Sequence, residues 1–203
     1  MIGFVILKRT GRNIVARTLQ LSIFALALSA SAFSVAEDKP AGFLCCNMRS
    51  DGSWISDINY DENGKTIIPV GTPIKVTGYG HYRVKVDING KSQAIGNDYS
   101  RDLALEAFAK RYVVADDPAA KIAAYPKKIQ DAIAQARIVP GMTREQVLMS
   151  VGYPVSSENH HLEDKTWRFW ISSFQEFRVK FDDSGRVTDV EGDGDAKSKI
   201  LID

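Results

Sequence analysis

Five side chains in this sequence have the types that could do metal or nucleophilic chemistry: Cys45, Cys46, His81, His160 and His161. His160 and His161 are adjacent, so on extended backbone their rings diverge, and no HxxE or CxxC spacing accompanies them. A solvated loop is the simpler reading of the pair. Cys45 could act as a nucleophile with His81 as its base only if the fold joined them, and no oxyanion-loop signature is present. Neighbouring residues on a strand point to opposite faces, so a disulfide between Cys45 and Cys46 would need distorted backbone. The spacing therefore predicts one buried thiol and one facing solvent or a partner. Asp182-Asp183 before Ser184-Gly185 lacks the ligand series of a calcium loop and reads as a turn. The expectation is a protein without catalytic residues, bound metal or cofactor.

What remains is binding chemistry. Alternation in Trp167-Arg168-Phe169-Trp170-Ile171 and in Phe177-Arg178-Val179-Lys180-Phe181 puts 167, 169 and 171, and 177, 179 and 181, on the buried faces of two strands. Arg168 and Trp170 then project from the opposite side, with Arg178 and Lys180 beside them. An indole among cations is a common interface composition and suits anionic lipid headgroups as well. The competing structural reading has Trp170 packing against the preceding part of the chain.

The elements that would position these residues follow from periodicity. From Gly42 to Ile95 short β-branched and aromatic runs alternate with turns: Trp54-Ile55, Ile67-Ile68, Ile74 to Tyr79, Tyr82 to Ile88 and Lys91 to Ile95. Asn89-Gly90 between the last two is the strongest hairpin signal. Val84, Val86 and Ile88 face a core there. Leu105, Phe108, Ala109 and Tyr112 form one face of a helix that closes this part, and Ala115-Asp116-Asp117-Pro118 ends it. Ile129, Ala132, Ile133 and Ala136 mark a further helix. Thr143 and Gln146 form a capping box before another, which Gly152 and Pro154 terminate. Asp182 to Gly185 turns the chain into Val187 to Val190.

This organisation predicts an α+β protein in two modules. A small N-terminal β domain, a barrel or curled sheet, spans residues 37–114 with its closing helix; a two-helix, three-stranded antiparallel module spans 118–191; a mobile polar tail occupies 192–203. Residues 1–36 contain no acidic residue and carry Lys8, Arg9, Arg12 and Arg17 before an apolar run from Leu19 to Phe33, the pattern of a secretory signal. Cleavage after Ala32 or Ala36 fits the small-residue pattern, and Glu37-Asp38 favours Ala36. The chain has 26 basic and 25 acidic residues, so loss of four signal cations leaves 22 against 25. Nothing in that balance suggests a nucleic-acid partner.

Residues 66–95, with Ile68-Pro69-Val70-Gly71-Thr72-Pro73 and the following valine-rich hairpin, resemble the opening strands of a bacterial SH3-like domain. Gly141, Met142, Thr143, Gln146, Val147, Gly152 and Pro154, followed by Trp167, Phe181, Gly185 and Val187, form a pattern over residues 120–191 that resembles the BamE (SmpA/OmlA) outer-membrane assembly family. β-Lactamase-inhibitor-type domains share the same helix and sheet arrangement, so fold alone does not settle function. The resemblance implies a non-catalytic periplasmic envelope protein, associated with the outer membrane and aiding assembly or integrity there. Its implied partners are envelope proteins such as the β-barrel assembly machinery, or anionic lipid headgroups. Two departures matter. BamE proteins are lipid-anchored through a cysteine just after the signal, whereas Leu44 stands before Cys45 where processing wants a small residue, so no lipidation is expected. The leading β domain is also extra. The alternative function is a soluble periplasmic ligand-binding or inhibitor module using the SH3-like part on peptides or cell-wall fragments.

Overall fold

The computed structural model describes residues 39–61 and 64–202; the export signal read at residues 1–36 lies outside them. Among the described residues, which form one compact unit, apolar residues separate into two buried clusters. The first belongs to an eight-stranded curled sheet: β1 (Ala41–Leu44), β2 (Met48–Ser50), β3 (Trp54–Ser56), β4 (Thr66–Ile68), β5 (Pro73–Gly80), β6 (Arg83–Ile88), β7 (Lys91–Gly96) and β8 (Val113–Val114). Its strand order is β4-β2-β3-β7-β6-β5-β1-β8, with β3 running parallel to β7 and every other pair antiparallel. Asn89 and Gly90 both have positive φ, 51° and 76°, as the tight β6–β7 hairpin requires. Val84, Val86 and Ile88 are buried as their alternation predicts. Helix α1 (Leu105–Tyr112) covers this sheet with Phe108, Ala109 and Tyr112.

The second cluster lies between α3 (Lys127–Ala134), α4 (Arg144–Val151) and an antiparallel sheet of β9 (Thr166–Ser172), β10 (Gln175–Phe181) and β11 (Val187–Gly192). A short α2 (Ala119–Ala123) precedes them. The inner face of this sheet is aromatic: Trp167 meets Phe181 edge-on at 4.7 Å, and Phe169 stacks on Phe177 at 5.0 Å. Trp167 is fully buried and its indole N–H has no hydrogen-bond partner, so packing alone accounts for its contribution. At the start of α4 the capping box is formed in both directions, with Gln146 N–H donating to Thr143 Oγ1 and Thr143 N–H donating to Gln146 Oε1.

Two asparagines join the clusters. Asn47 Nδ2 donates to Ile133 O (2.6 Å) and Ser150 O (3.0 Å), while its Oδ1 accepts from Val70 N–H (2.8 Å). Asn59 Nδ2 donates to Asn47 O and Val151 O, and its Oδ1 accepts from Arg49 N–H. Gly152, at φ 86°, lies under this pair; a Cβ there would sit 3.1 Å from Asn59 Nδ2.

Two expectations need correction. Residues 192–202 are no mobile tail: α5 (Gly194–Ile200) is capped by Asp193, whose Oδ1 accepts from Ala196 N–H (2.7 Å), and it buries Ala196 and Ile200. Ile138 N–H donates to Ile200 O and Ile202 N–H to Ile138 O, which fixes the end of the chain to the loop after α3. The polar composition hid an i, i+4 apolar pair behind a sound N-cap. Cys45 and Cys46, expected as thiols, form a disulfide. The expectation assumed strand geometry, whereas residues 45 and 46 form a bend between β1 and β2. The predicted asymmetry of burial is still seen, with Cys46 buried and Cys45 half-buried.

Replacing Trp167 by Ala should cost about 3–5 kcal/mol, and Thr143→Ala about 1 kcal/mol. Asn47→Leu should fall between them at about 2–3 kcal/mol, because it leaves buried carbonyls and an amide without partners. Urea unfolding of the three variants checks the ranking; Asn47→Leu proving the mildest would remove the clamp from the account.

Candidate binding face

Cross-strand register decides what the outer face of the three-stranded sheet presents. Arg168 on β9 lies directly opposite Arg178 on β10, Trp170 opposite Glu176, and Arg178 opposite Glu191 on β11. All four residues singled out in the sequence, Arg168, Trp170, Arg178 and Lys180, therefore share the face away from the aromatic core. Arg168 and Arg178 would repel as direct neighbours. Glu176 separates them, accepting from Arg168 Nε (2.6 Å) and pairing with Arg178 (2.6 Å). Lys180 pairs with Glu191 at 2.5 Å.

Trp170 is half-buried, and with Arg49, Ile58, Asn59 and Asp61 of the strand-rich half it lines a small cavity between the halves, so the reading in which it packs against the preceding part of the chain is met in part. Its indole N–H donates to Glu158 Oε2 at 2.8 Å. The Arg168 guanidinium covers the ring at 4.5 Å, a cation–π arrangement, and also reaches Glu158 at 3.7 Å. Three cations thus meet three carboxylates, Glu158, Glu176 and Glu191. The sequence reading saw the cations and missed these partners, although Glu176 and Glu191 follow from the outward alternation of β10 and β11. It also missed Phe174, which sits in the β9–β10 turn with 97% of its surface exposed. An apolar residue among Ser172, Ser173 and Gln175 was the available signal.

The other residues considered for chemistry are dispersed. His81 occupies the β5–β6 turn against Tyr82, with ring centroids 5.4 Å apart. His160 and His161 lie exposed in the loop before β9. The Cys45 thiol that a Cys45–His81 pair would need is taken up in the disulfide. Asp182 acts as a turn residue, its Oδ1 accepting from Arg186 N–H and from the hydroxyl and N–H of Ser184, which hold its carboxyl below the usual range. Among the described residues no group of three or more potential ligands could hold a metal, and no helix is long and apolar enough to cross a membrane.

One buried carboxylate stands apart. Asp57 is 1% exposed; Oδ2 accepts from the N–H groups of Tyr99 and Ser100, both at 2.9 Å, while Oδ1 has no hydrogen-bond partner. Burial pushes its pKa up, and the two backbone donors oppose that only in part. Beside it Ser156 Oγ bonds Asp102, and Ser100 Oγ accepts from Ser156 N–H, so the Asp57 loop is tied to the segment that follows α4.

Comparison of the chain with protein-family models, with curated proteins and with solved structures gives no match.

A raised folded pKa means that Asp57 favours folding most when protonated. Its contribution is fully present below its unfolded pKa, about 3.9, and is lost as pH rises through the higher folded value. The melting temperature of the parent protein should therefore gain on that of Asp57→Asn as pH falls from 7 towards 4. A difference independent of pH would show that Asp57 has no raised pKa.

Proposed function

We propose that this chain is an exported, non-catalytic envelope protein of BamE-like type, which assists outer-membrane protein assembly or envelope integrity by binding a protein partner. The observation that carries the reading is the outer face of β9–β10: a half-exposed Trp170 held by Arg168 and Glu158, next to the unsheltered Phe174. An aromatic anchor held in place loses little side-chain freedom on binding, and aromatic and arginine anchors dominate interface energetics. The pairing of every cation on this face with a carboxylate leaves little net positive potential for anionic headgroups. Specific protein contacts suit such a balanced surface better. The order α3, α4, β9, β10, β11 and the formed capping box agree with a BamE-like module, and the basic, apolar N-terminal sequence agrees with export.

A second reading is favoured by the strand-rich half, where the SH3-like proposal applies. His81 and Tyr82 hold positive φ, 42° and 61°, at the β5–β6 turn, where non-glycine residues are strained. Arg101 lies over the Tyr82 ring at 4.4 Å, Arg83 lies over Trp54 at 4.1 Å, and Asp98 pairs with both arginines. Tyr82 and the nearby Tyr99 are about half exposed. That arrangement would suit peptides or cell-wall fragments.

Pull-down from solubilised envelopes tests both. Phe174→Ala should leave stability within about 0.5 kcal/mol yet reduce recovery of β-barrel assembly components several-fold. Trp170→Ala should reduce it further, at some loss of stability because its contacts with Arg168 and Glu158 go too. Unchanged recovery with both variants, or recovery that falls only with Tyr82→Ala, would move the function to the strand-rich half.

A further inference from the structure

The segment after α1 leaves β8 and enters α2 through Ala115-Asp116-Asp117-Pro118, carrying two carboxylates past the end of the first sheet. Opposite it stands α4, whose apolar residues are not confined to one side. Val147 and Val151 are buried in the second cluster, while Leu148, half-buried, reaches the side facing α2. Between them is a cleft of about 310 Å³, lined on its apolar side by Cys45, Val114, Leu148, Met149 and Tyr153. Tyr153 is fixed there by an edge-on contact with buried Tyr112 (5.9 Å), and Arg111 lies 5.4 Å from its ring. The half-buried Cys45 side of the disulfide completes this wall.

The charges lining the cleft are Asp116, Asp117, Glu145 and Lys121. Lys121 is bound to Glu145, which satisfies one carboxylate. Asp117 Oδ1 accepts from Ala119 N–H at 2.9 Å, an interaction that leaves its charge in place. Asp116 and Asp117 are exposed at the rim, so the lining carries an excess of two negative charges over a half-exposed apolar wall. Small-molecule sites combine such an apolar wall with a few placed polar groups, in volumes of about 300–1,000 Å³.

We propose that this cleft binds a small amphiphilic cation, with an aromatic or aliphatic body against Leu148, Met149, Tyr153 and Cys45 and an ammonium or guanidinium group towards Asp116 and Asp117. Polarizable sulfur at Cys45 and Met149 beside the Tyr153 ring favours an aromatic body. The site involves none of the outer-face residues of β9–β10, so its occupancy is independent of the partner surface proposed above.

Titration of the intact chain with 2-phenylethylamine, 2-phenylethanol and 3-phenylpropionate, followed by calorimetry and by amide chemical shifts, tests the assignment. The amine should bind saturably, with shifts confined to residues 44–46, 111–121 and 145–153. The alcohol should bind about fivefold more weakly, the difference one or two exposed charge interactions make, and the carboxylate should be weakest. Asp116→Asn, which removes no hydrogen bond of α2, should weaken the amine and leave the alcohol unchanged; Leu148→Gln should weaken both, with melting curves confirming that the variants fold. Equal affinity for amine and carboxylate, shifts located elsewhere, or no saturable binding of the amine would each overturn the proposal.

Discussion

The last turn of an α-helix leaves backbone carbonyls without helical donors; in α4 one of the last four keeps its i+4 bond from the C-cap residue, and the other three are met by donors from outside the helix. Leu148 O accepts from Gly152 N–H and Met149 O from Asn47 N–H. Ser150 O accepts from Asn47 Nδ2 and Val151 O from Asn59 Nδ2. Three of the four donors thus come from the β1–β2 connection and the turn after β3. A buried carbonyl without a partner is destabilising by a large fraction of what one hydrogen bond contributes, so α4 can end where it does only while the strand-rich half is in place. Gly152 has no side chain for a related reason: its positive φ turns the chain away, and the space a Cβ would need is filled by Asn59.

The outer face of β9–β10 depends on the inner one. Trp167, Phe169, Phe177, Val179 and Phe181 must all point to the α3–α4 side for the second cluster to close, and the two-residue period of a strand then leaves Arg168, Trp170, Arg178 and Lys180 no other direction. A slip of one residue would bury the charges and expose the rings, which pins the register strongly. The surface residues are therefore positioned by the core, and their electrostatic balance by Glu158, Glu176 and Glu191.

Elements with strong periodicity were legible in the sequence. Val84-Val86-Ile88, the Asn89-Gly90 turn, Phe108-Ala109-Tyr112, the Thr143–Gln146 box and the Trp167 and Phe181 faces all stand in the α+β structure as read. What was illegible depends on contacts distant along the chain. Asn47 looks like an ordinary loop residue, and only the arrival of α3 and α4 some hundred residues later makes it a clamp. The cleft beside Cys45 has the same origin, since Cys45, Asp116 and Leu148 come from three segments. The cysteine pair was misjudged because a bend was taken for strand, and α5 because its polar majority outweighed Ala196 and Ile200. At the candidate face the cations were readable from alternation, while Glu158, contributed by a loop, was not.

The reach of the asparagine clamp bears on how the chain assembles. The bond from Asn47 to Ser150 spans 103 residues and that from Asn59 to Val151 spans 92, whereas the hairpins and helices they connect close over a few. Long loops cost more entropy to close and are closed later than local ones. During synthesis the strand-rich half emerges first, and until α3 and α4 follow, the Asn47 amide and one of the two Asn59 amide hydrogens have only water in place of their carbonyl partners. Closing the seam against α4 exchanges that water for carbonyls, so joining the two cores carries a desolvation cost concentrated at one polar seam.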